Sequence, residues 1–94
     1  MTKLEKRQCY RTVAAWPATM ITSQGFQEGE TVDISPDGAF VSCPKPLKPG
    51  EKLSLIVTSP NNYQFQYSAQ VIWSCIPRQN DEKIPRGMGV MFVF

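Results

Sequence analysis

The stretch from residue 31 to residue 41, Thr-Val-Asp-Ile-Ser-Pro-Asp-Gly-Ala-Phe-Val, predicts a β-hairpin. β-Branched, apolar and aromatic residues flank a short polar segment, as they do when two strands are joined by a tight turn. Within the segment, Pro36 presets φ for the first turn position, Asp37 is tolerated at the second, and Gly38 accepts a positive φ. The rest of the sheet is predicted outward from this hairpin.

Asp33 and Ser35 in the same stretch are not required by the turn. They lie two positions apart at the end of the predicted strand, and residues two apart on a strand point to the same face of a sheet. A carboxylate and a hydroxyl are therefore expected side by side, next to Gly38, which has no side chain to keep a ligand from the backbone. This combination indicates a binding site. Both side chains could instead satisfy backbone N–H groups of the turn.

Short apolar or alternating runs between turn residues predict six strands, and no segment predicts a convincing helix. The fifth strand alternates most regularly, so one of its faces is expected to be buried. The aromatic residues of that face are Tyr63, Phe65, Tyr67 and Trp73. The last strand is almost wholly apolar at its end, which predicts a strand covered on both faces. The predicted strands span residues 18–23, 30–34, 39–43, 53–58, 63–73 and 87–94.

Three segments between these strands are predicted to be loops, because they are polar or rich in proline and glycine. They span residues 24–29, 44–50 and 74–86. A chain of 94 residues has room for one domain with one modest core. Six strands with short connections predict an all-β fold, an antiparallel sheet that closes into a small six-stranded barrel, since closure protects the strand edges.

The net charge of +2 is unevenly distributed along the chain. Lys3, Lys6, Arg7 and Arg11, opposed only by Glu5, make the N-terminal arm basic and leave the remainder slightly acidic. A long nucleic acid is therefore not expected to bind, whereas a small anionic ligand is compatible. No apolar run approaches the roughly 18 residues of a membrane span, and the N-terminus lacks the apolar core of a signal peptide. We expect a cytoplasmic protein without membrane insertion.

Three widely spaced cysteines and the absence of histidine restrict the chemistry. An odd number of cysteines does not favour a disulfide framework, and this residue set does not favour a metal site. Histidine is also the commonest general base and the usual partner of a serine or cysteine nucleophile. With no recognisable pair of nucleophile and base, the chain is not expected to be an enzyme, and no cofactor is expected.

Two short motifs in order along the chain make it resemble a PilZ domain. Arg7 and Arg11 form the pattern RxxxR, and Asp33, Ser35 and Gly38 form the pattern DxSxxG about twenty residues later. A β-rich segment that ends in Gly-x-Gly-Val-x-Phe follows them. The resemblance covers nearly the whole chain from residue 5 onward. It implies a six-stranded barrel that binds the bacterial second messenger cyclic di-GMP.

The residue types of the two motifs suit that ligand, which carries two phosphates and two guanines. Arg7 and Arg11 are expected to pair with phosphate oxygens or with guanine O6 and N7, or to stack on a base. Asp33 is expected to accept hydrogen bonds from guanine N1–H and N2–H₂, and Ser35 to donate or accept nearby. Gly38 is expected to hold the turn so that a purine can lie close to the backbone.

The arginines precede the first strand, so residues 1–12 are predicted to form a mobile basic arm and residues 13–94 the barrel. We expect ligand binding to fold the arm across the barrel face that carries Asp33 and Ser35. An unidentified protein partner would recognise the ordered arm, and the resemblance implies a role in motility, surface attachment or polysaccharide export. The sequence does not indicate what Trp16, just after the arm, does.

The alternative function is a β-barrel that binds another protein or single-stranded nucleic acid and does not bind cyclic di-GMP. The arginines would then be solvated charges, and the turn residues would serve the turn alone. The aromatic residues of the fifth strand could stack on bases in such a protein. They alternate with glutamine and serine rather than with the cations that a stacking groove needs, so core packing is favoured.

Overall fold

The computed structural model describes residues 12–77 and 86–94, and all regular structure among them is β-strand. No helix in these ranges is long and apolar enough to cross a membrane. The strands in chain order are β1 (Thr12–Val13), β2 (Pro17–Thr22), β3 (Gly25–Ile34), β4 (Gly38–Ser42), β5 (Lys52–Thr58), β6 (Gln64–Cys75) and β7 (Gly87–Val93).

Six of these strands form a closed antiparallel barrel. The order around the barrel is β3, β2, β5, β6, β7 and β4, and the pairing of β4 with β3 closes it. The two-residue β1 lies outside this ring and pairs with the end of β3, with Thr12 opposite Ile34 and Val13 opposite Asp33. The predicted all-β, six-stranded antiparallel barrel is therefore confirmed. The predicted mobile arm falls on residues that, up to residue 11, lie outside the described part of the chain.

Alternation along the strands places one face of each strand in the core. In β5, Leu53, Leu55 and Val57 point inward and are buried, while the residues between them are partly exposed. Apolar side chains from the other barrel strands complete the core, because removing them from water stabilises the closed sheet. They include Ala18, Met20, Ala39, Val41, Ala69, Val71, Met88, Val90 and Phe92.

Residues 24–29 belong largely to a strand, so the loop predicted there is wrong. β3 begins at Gly25 and pairs with β2 residue by residue, from Gly25 opposite Thr22 to Glu30 opposite Pro17. The connection shrinks to residues 23–24, and Gly25 follows it with φ of 129°. Polar residues are compatible with a strand here, because most side chains of the segment remain exposed. Pairing with β2 outweighs the weak strand propensity of its residues.

The aromatic face predicted for the fifth strand is only partly buried, so the core-packing interpretation needs correction. Tyr63 and Phe65 are 66% and 42% exposed. β7 pairs with β6 only from Ser68 onward, which leaves the first residues of β6 beyond the end of β7. The smaller residues Ala69 and Val71 enter the core instead.

β7 is covered on both faces only in its first half. Residues 87–90 are buried, as predicted, but Met91 and Val93 are 42% and 45% exposed. Phe92 between them points inward and stacks on Tyr67 with ring centroids 4.0 Å apart. The apolar composition of the strand therefore overstated its burial.

Candidate functional site

A β-bulge in β3 turns Asp33 to the outer surface of the barrel. The register with β4 shifts between Thr31, opposite Val41, and Asp33, opposite Phe40, so Val32 is an extra residue on β3. Thr31 and its partner face the core, and without the bulge Asp33 would share that face. Asp33 is instead partly buried on the outside, with one carboxylate oxygen excluded from solvent.

A second β-bulge, in β6, brings Trp73 to the same outer surface. The register with β7 shifts between Val71, opposite the core residue Val90, and Trp73, opposite Gly89. Ile72 is therefore the extra residue. Trp73 is 49% exposed, which contradicts its predicted place on the buried face of the strand.

The two bulges align four residues in one row across β3, β4, β7 and β6. This outer row consists of Asp33, Phe40, Gly89 and Trp73, each opposite the next on the neighbouring strand. The rings of Phe40 and Trp73 stack with centroids 5.2 Å apart and planes 13° apart. A Cβ on Gly89 would overlap the indole, so only glycine permits this packing. The outer row thus has the half-exposed Trp73 indole, stacked on the buried Phe40 ring, toward one end and the Asp33 carboxylate at the other.

The sequence did not indicate that Phe40, Gly89 and Trp73 lie in one row with Asp33. The available signal was the Gly-x-Gly spacing in β7, since a bulky ring can lie flat across a strand where that strand has no side chain. A Cβ on Gly87 would likewise overlap the Val41 carbonyl oxygen and approach the Phe40 ring. The two glycines together make room for the rings of the outer row.

The β3–β4 turn, residues 35–37, is held by the side chain and backbone of Ser35. The backbone N–H of Ser35 donates to the Gly38 carbonyl oxygen at 2.8 Å. Its hydroxyl donates to the same oxygen and accepts from the Asp37 N–H, both at 3.3 Å. The Asp37 carbonyl oxygen in turn accepts from the Phe92 N–H at 2.8 Å, which fixes the turn to β7. Ser35 therefore satisfies backbone groups of the turn, as one of the two interpretations proposed.

Gly38 is at the predicted place but for a different physical reason. Its φ is not in the left-handed region, where among glycines of the described chain only Gly25 and Gly50 lie. Instead, a Cβ on Gly38 would overlap the carbonyl oxygen of Val90 in β7. Glycine is needed here because the backbones of β4 and β7 approach closely.

Residues 14–16, which lead from β1 into β2, are fixed to β3 by Thr31. The Thr31 hydroxyl donates to the Ala14 carbonyl oxygen and accepts from the Trp16 N–H at 3.0 Å. The Thr31 N–H donates to the Trp16 carbonyl oxygen at 2.9 Å, and the Ala14 N–H donates to the Val32 carbonyl oxygen at 3.1 Å. Trp16 also packs against the core, which gives it a structural role that the sequence did not indicate.

The chain leaves the barrel beside the β3–β4 turn, because Thr12 lies opposite Ile34. Arg7 and Arg11 lie outside the described residues, but Arg11 is bonded directly to Thr12. The structure brings the remaining predicted site residues together on one side of the barrel. These are Asp33, Ser35 and Gly38.

A family model for the PilZ domain matches residues 5–94, nearly the whole chain. The chain belongs to the PilZ domain family. PilZ domains are ligand-binding receptor domains, so the family agrees with a binding role rather than a catalytic one. The resemblance inferred from the RxxxR and DxSxxG motifs is confirmed.

The fold of this PilZ domain is similar to that of a solved structure. The PilZ domain with c-di-GMP (cyclic di-GMP) of YcgR from Escherichia coli matches with a TM-score of 0.74. The sequences are 16% identical, and the match covers 94% of this chain and 78% of that chain. At this identity the likeness establishes the fold. No curated protein sequence matches this chain at a significant level.

This PilZ domain also has a cavity of about 440 Å³, which we call the loop cavity, between residues 45–51 and the β2–β3 hairpin. The Gln27 side chain donates to the Lys45 carbonyl oxygen at 2.7 Å and accepts from the Lys45 N–H at 3.0 Å. The Lys48 N–H donates to a Glu51 carboxylate oxygen at 2.9 Å. These polar groups hold the loop to the barrel.

The Cys43 thiol is not activated as a nucleophile, and the described residues contain no candidate metal centre. Burial raises the pKa of the Cys43 thiol, and a hydrogen bond with the Lys45 backbone opposes this more weakly. The thiol is therefore protonated at neutral pH and unreactive. Across residues 12–77 and 86–94, no group of three or more His, Cys, Asp or Glu side chains could hold a metal ion.

Proposed function

We propose that this PilZ domain is a receptor for cyclic di-GMP that binds the ligand across the outer row. The observation that carries the proposal is the placement of Asp33 and Trp73 in one row by two separate bulges. A carboxylate can pair with the edge of a guanine, and an exposed aromatic ring in the same row can stack on the face of a base. The c-di-GMP in the similarly folded YcgR PilZ domain supports this choice of ligand.

Asp33 and Trp73 have distinct roles in the proposal. Asp33 accepts hydrogen bonds from guanine N1–H and N2–H₂, and its partly buried position strengthens such charge-assisted bonds. Trp73 offers its exposed indole to a purine, and stacking on an aromatic side chain is worth about 1–3 kcal/mol per base. Phe40 supports the indole from the neighbouring strand by ring stacking.

Ser35 and Gly38 act mainly through the shape of the β3–β4 turn. The Ser35 hydroxyl closes the turn, and its remaining acceptor capacity is available to a ligand donor. Gly38 lets β4 approach β7 closely, which keeps the outer row continuous between the two strands. Both residues therefore determine the position of Asp33 relative to the ligand.

The N-terminal arm, residues 1–12, supplies the cations of the proposed site, and residues 13–94 form the barrel. Arg7 and Arg11 bind phosphate oxygens or guanine acceptors, which a guanidinium can do with two parallel hydrogen bonds. Binding orders the arm, and a protein partner recognises the ordered form. Amide hydrogen exchange over residues 3–14 tests this step, because equal exchange with and without saturating ligand would contradict it. The cytoplasmic location stays a prediction.

Calorimetric titration with cyclic di-GMP tests the proposed function. The parent protein should release or absorb heat with saturation. Arg7→Ala, Arg11→Ala and Asp33→Ala should each weaken binding, because one good bidentate contact is worth roughly 1–3 kcal/mol. No heat with the parent protein, or undiminished affinity after loss of either arginine, would contradict the proposal.

Single-stranded nucleic-acid binding is a second candidate, supported by the exposure of Tyr63, Phe65 and Trp73. Such proteins stack bases on exposed aromatic rings and bind phosphates with cations, so their affinity falls steeply with salt. Titration of a single-stranded oligonucleotide at two salt concentrations distinguishes the candidates. A steep salt dependence together with no affinity for cyclic di-GMP would favour this second function.

A further inference from the structure

Thr31 is a buried polar residue to which the proposed site assigns no role. Its exposed fraction is 0%, and it lies opposite Val41 on the core face of the barrel. A hydroxyl in such a place is unfavourable unless it is hydrogen-bonded. Both hydrogen bonds of this hydroxyl go to the backbone of residues 14–16. The buried Thr31 hydroxyl therefore serves to hold residues 14–16 against β3.

The segment held by Thr31 determines where the N-terminal arm leaves the barrel. Ala14, whose carbonyl oxygen accepts from Thr31, is bonded to Val13, and Val13 lies opposite Asp33. The Ala14 N–H also donates to Val32, the extra residue of the bulge. One group of hydrogen bonds thus ties the end of the arm to the bulge that places Asp33 on the outer row.

We propose that Thr31 is a positioning residue for the ligand, because its hydroxyl sets the register between the arm that carries Arg7 and Arg11 and the strand that carries Asp33. This inference rests on the proposed function and deepens it. A slip of one residue would move Thr12, to which Arg11 is bonded, by about 3.3–3.6 Å along the strand direction. It would also change which residue of β1 lies opposite Asp33. Paired contacts of a guanidinium with phosphate or guanine require the native register.

The test compares Thr31→Val with Thr31→Ser in the full chain. Valine keeps the shape of threonine and removes the hydroxyl, which leaves the Ala14 carbonyl oxygen and the Trp16 N–H without that partner. We expect the affinity for cyclic di-GMP to fall roughly tenfold, as it does when the binding-competent register is populated about a tenth of the time. Serine keeps the hydroxyl and should keep the affinity within about twofold. Equal affinities of the two variants would overturn the proposal.

Ser59→Ala is the matched control for a general loss of stability. Ser59 is also buried, and its hydroxyl accepts a hydrogen bond from the Tyr63 N–H at 3.2 Å in the β5–β6 connection. Its removal should lower thermal stability to a degree similar to Thr31→Val but leave the affinity unchanged. If Ser59→Ala weakens binding as much as Thr31→Val, the effect of Thr31 is general destabilisation and positioning is wrong.

Amide hydrogen exchange gives a measurement that does not need the ligand. Thr31→Val should speed exchange at Ala14, whose N–H donates to Val32, and should leave exchange unchanged at Phe92, which donates to Asp37. Unchanged protection of Ala14 would overturn the inference even if cyclic di-GMP binds. A parent protein without affinity for cyclic di-GMP would overturn the proposed function, and exchange at Ala14 would then decide alone whether Thr31 positions the segment.

Discussion

The outer row and the loop cavity differ in what their polar and aromatic groups contact. The loop cavity is the more concave, with a volume of about 440 Å³, but Gln27 and Lys45 around it bind each other. The outer row is a surface rather than a hollow, and it presents about half of the Trp73 indole to solvent at the end opposite Asp33. We therefore assign the proposed cyclic di-GMP site to the outer row, whose groups face solvent, rather than to the deeper loop cavity.

The largest expected effect is the loss of stability when Gly38, near the outer row, or Gly29, its matched control, is replaced by alanine. A Cβ on Gly38 would overlap the Val90 carbonyl oxygen, and a Cβ on Gly29 would overlap the Ser42 carbonyl oxygen. Each substitution to alanine should lower the free energy of unfolding by about 3 kcal/mol, because a neighbouring backbone must move. Urea unfolding measures both losses.

The two glycine variants should differ in binding. Gly38→Ala shifts the β3–β4 turn next to Asp33 and should also weaken cyclic di-GMP binding by the folded protein. Gly29→Ala should not, because Ser42 and Cys43, which its Cβ would meet, lie at the end of β4 that is away from the β3–β4 turn. An equal loss of affinity in both variants would contradict the assignment of the site to the outer row.

Asp33→Asn should weaken cyclic di-GMP binding by about 2 kcal/mol, since an amide replaces one acceptor with a donor that opposes the guanine N–H groups. Asp37→Asn is the control. Asp37 is exposed, and it contributes backbone groups to the turn. Calorimetric titration should therefore find its affinity nearly unchanged. A similar loss in both variants would point to general electrostatics instead of a specific guanine contact.

Trp73→Ala should weaken binding by about 1 kcal/mol through lost base stacking. The matched control is Tyr63→Ala, which removes an aromatic ring that is 66% exposed but lies outside the outer row. Affinity measured by the same titration should change only in the first variant. Loss of affinity only after removal of Tyr63 would indicate that bases stack at the exposed start of β6 and not on Trp73.

Lys45→Ala and Lys48→Ala at the loop cavity should change the affinity by less than about 0.5 kcal/mol, as surface substitutions away from a site usually do. The backbone bonds of Lys45 with Gln27 do not depend on the lysine side chain, so the loop should stay in place. A marked loss of affinity in either variant would indicate that the loop cavity, and not the outer row, binds the ligand.

The strand pattern of the sequence was sufficient to predict the barrel but not the two bulges. Alternation assigns Asp33 to the face of Thr31 and Trp73 to the face of Val71, both of which are core faces. The bulges depend on how distant strands pair, and a single sequence does not contain that register. The outer row could therefore not be predicted from the sequence, although Asp33 had been proposed as a ligand-binding residue.

For two motif residues the structure shows a reason for the residue type that differs from the expected one. Gly38 was expected to need a positive φ, whereas the structure shows a close approach to Val90. Ser35 was expected to contact the ligand, and its hydroxyl closes the turn. Turn sequences specify residue types, but only the packing of β7 against the hairpin reveals why the glycine is required.

An NMR titration of the full chain with cyclic di-GMP tests the location and the identity of the ligand in one measurement. We expect saturable shifts of the amide signals of Asp33 and Gly89 and of the Trp73 indole N–H, with the signals of Gln27 and Lys45 unmoved. No shifts at saturating ligand, or shifts confined to Gln27 and Lys45, would contradict a binding site on the outer row.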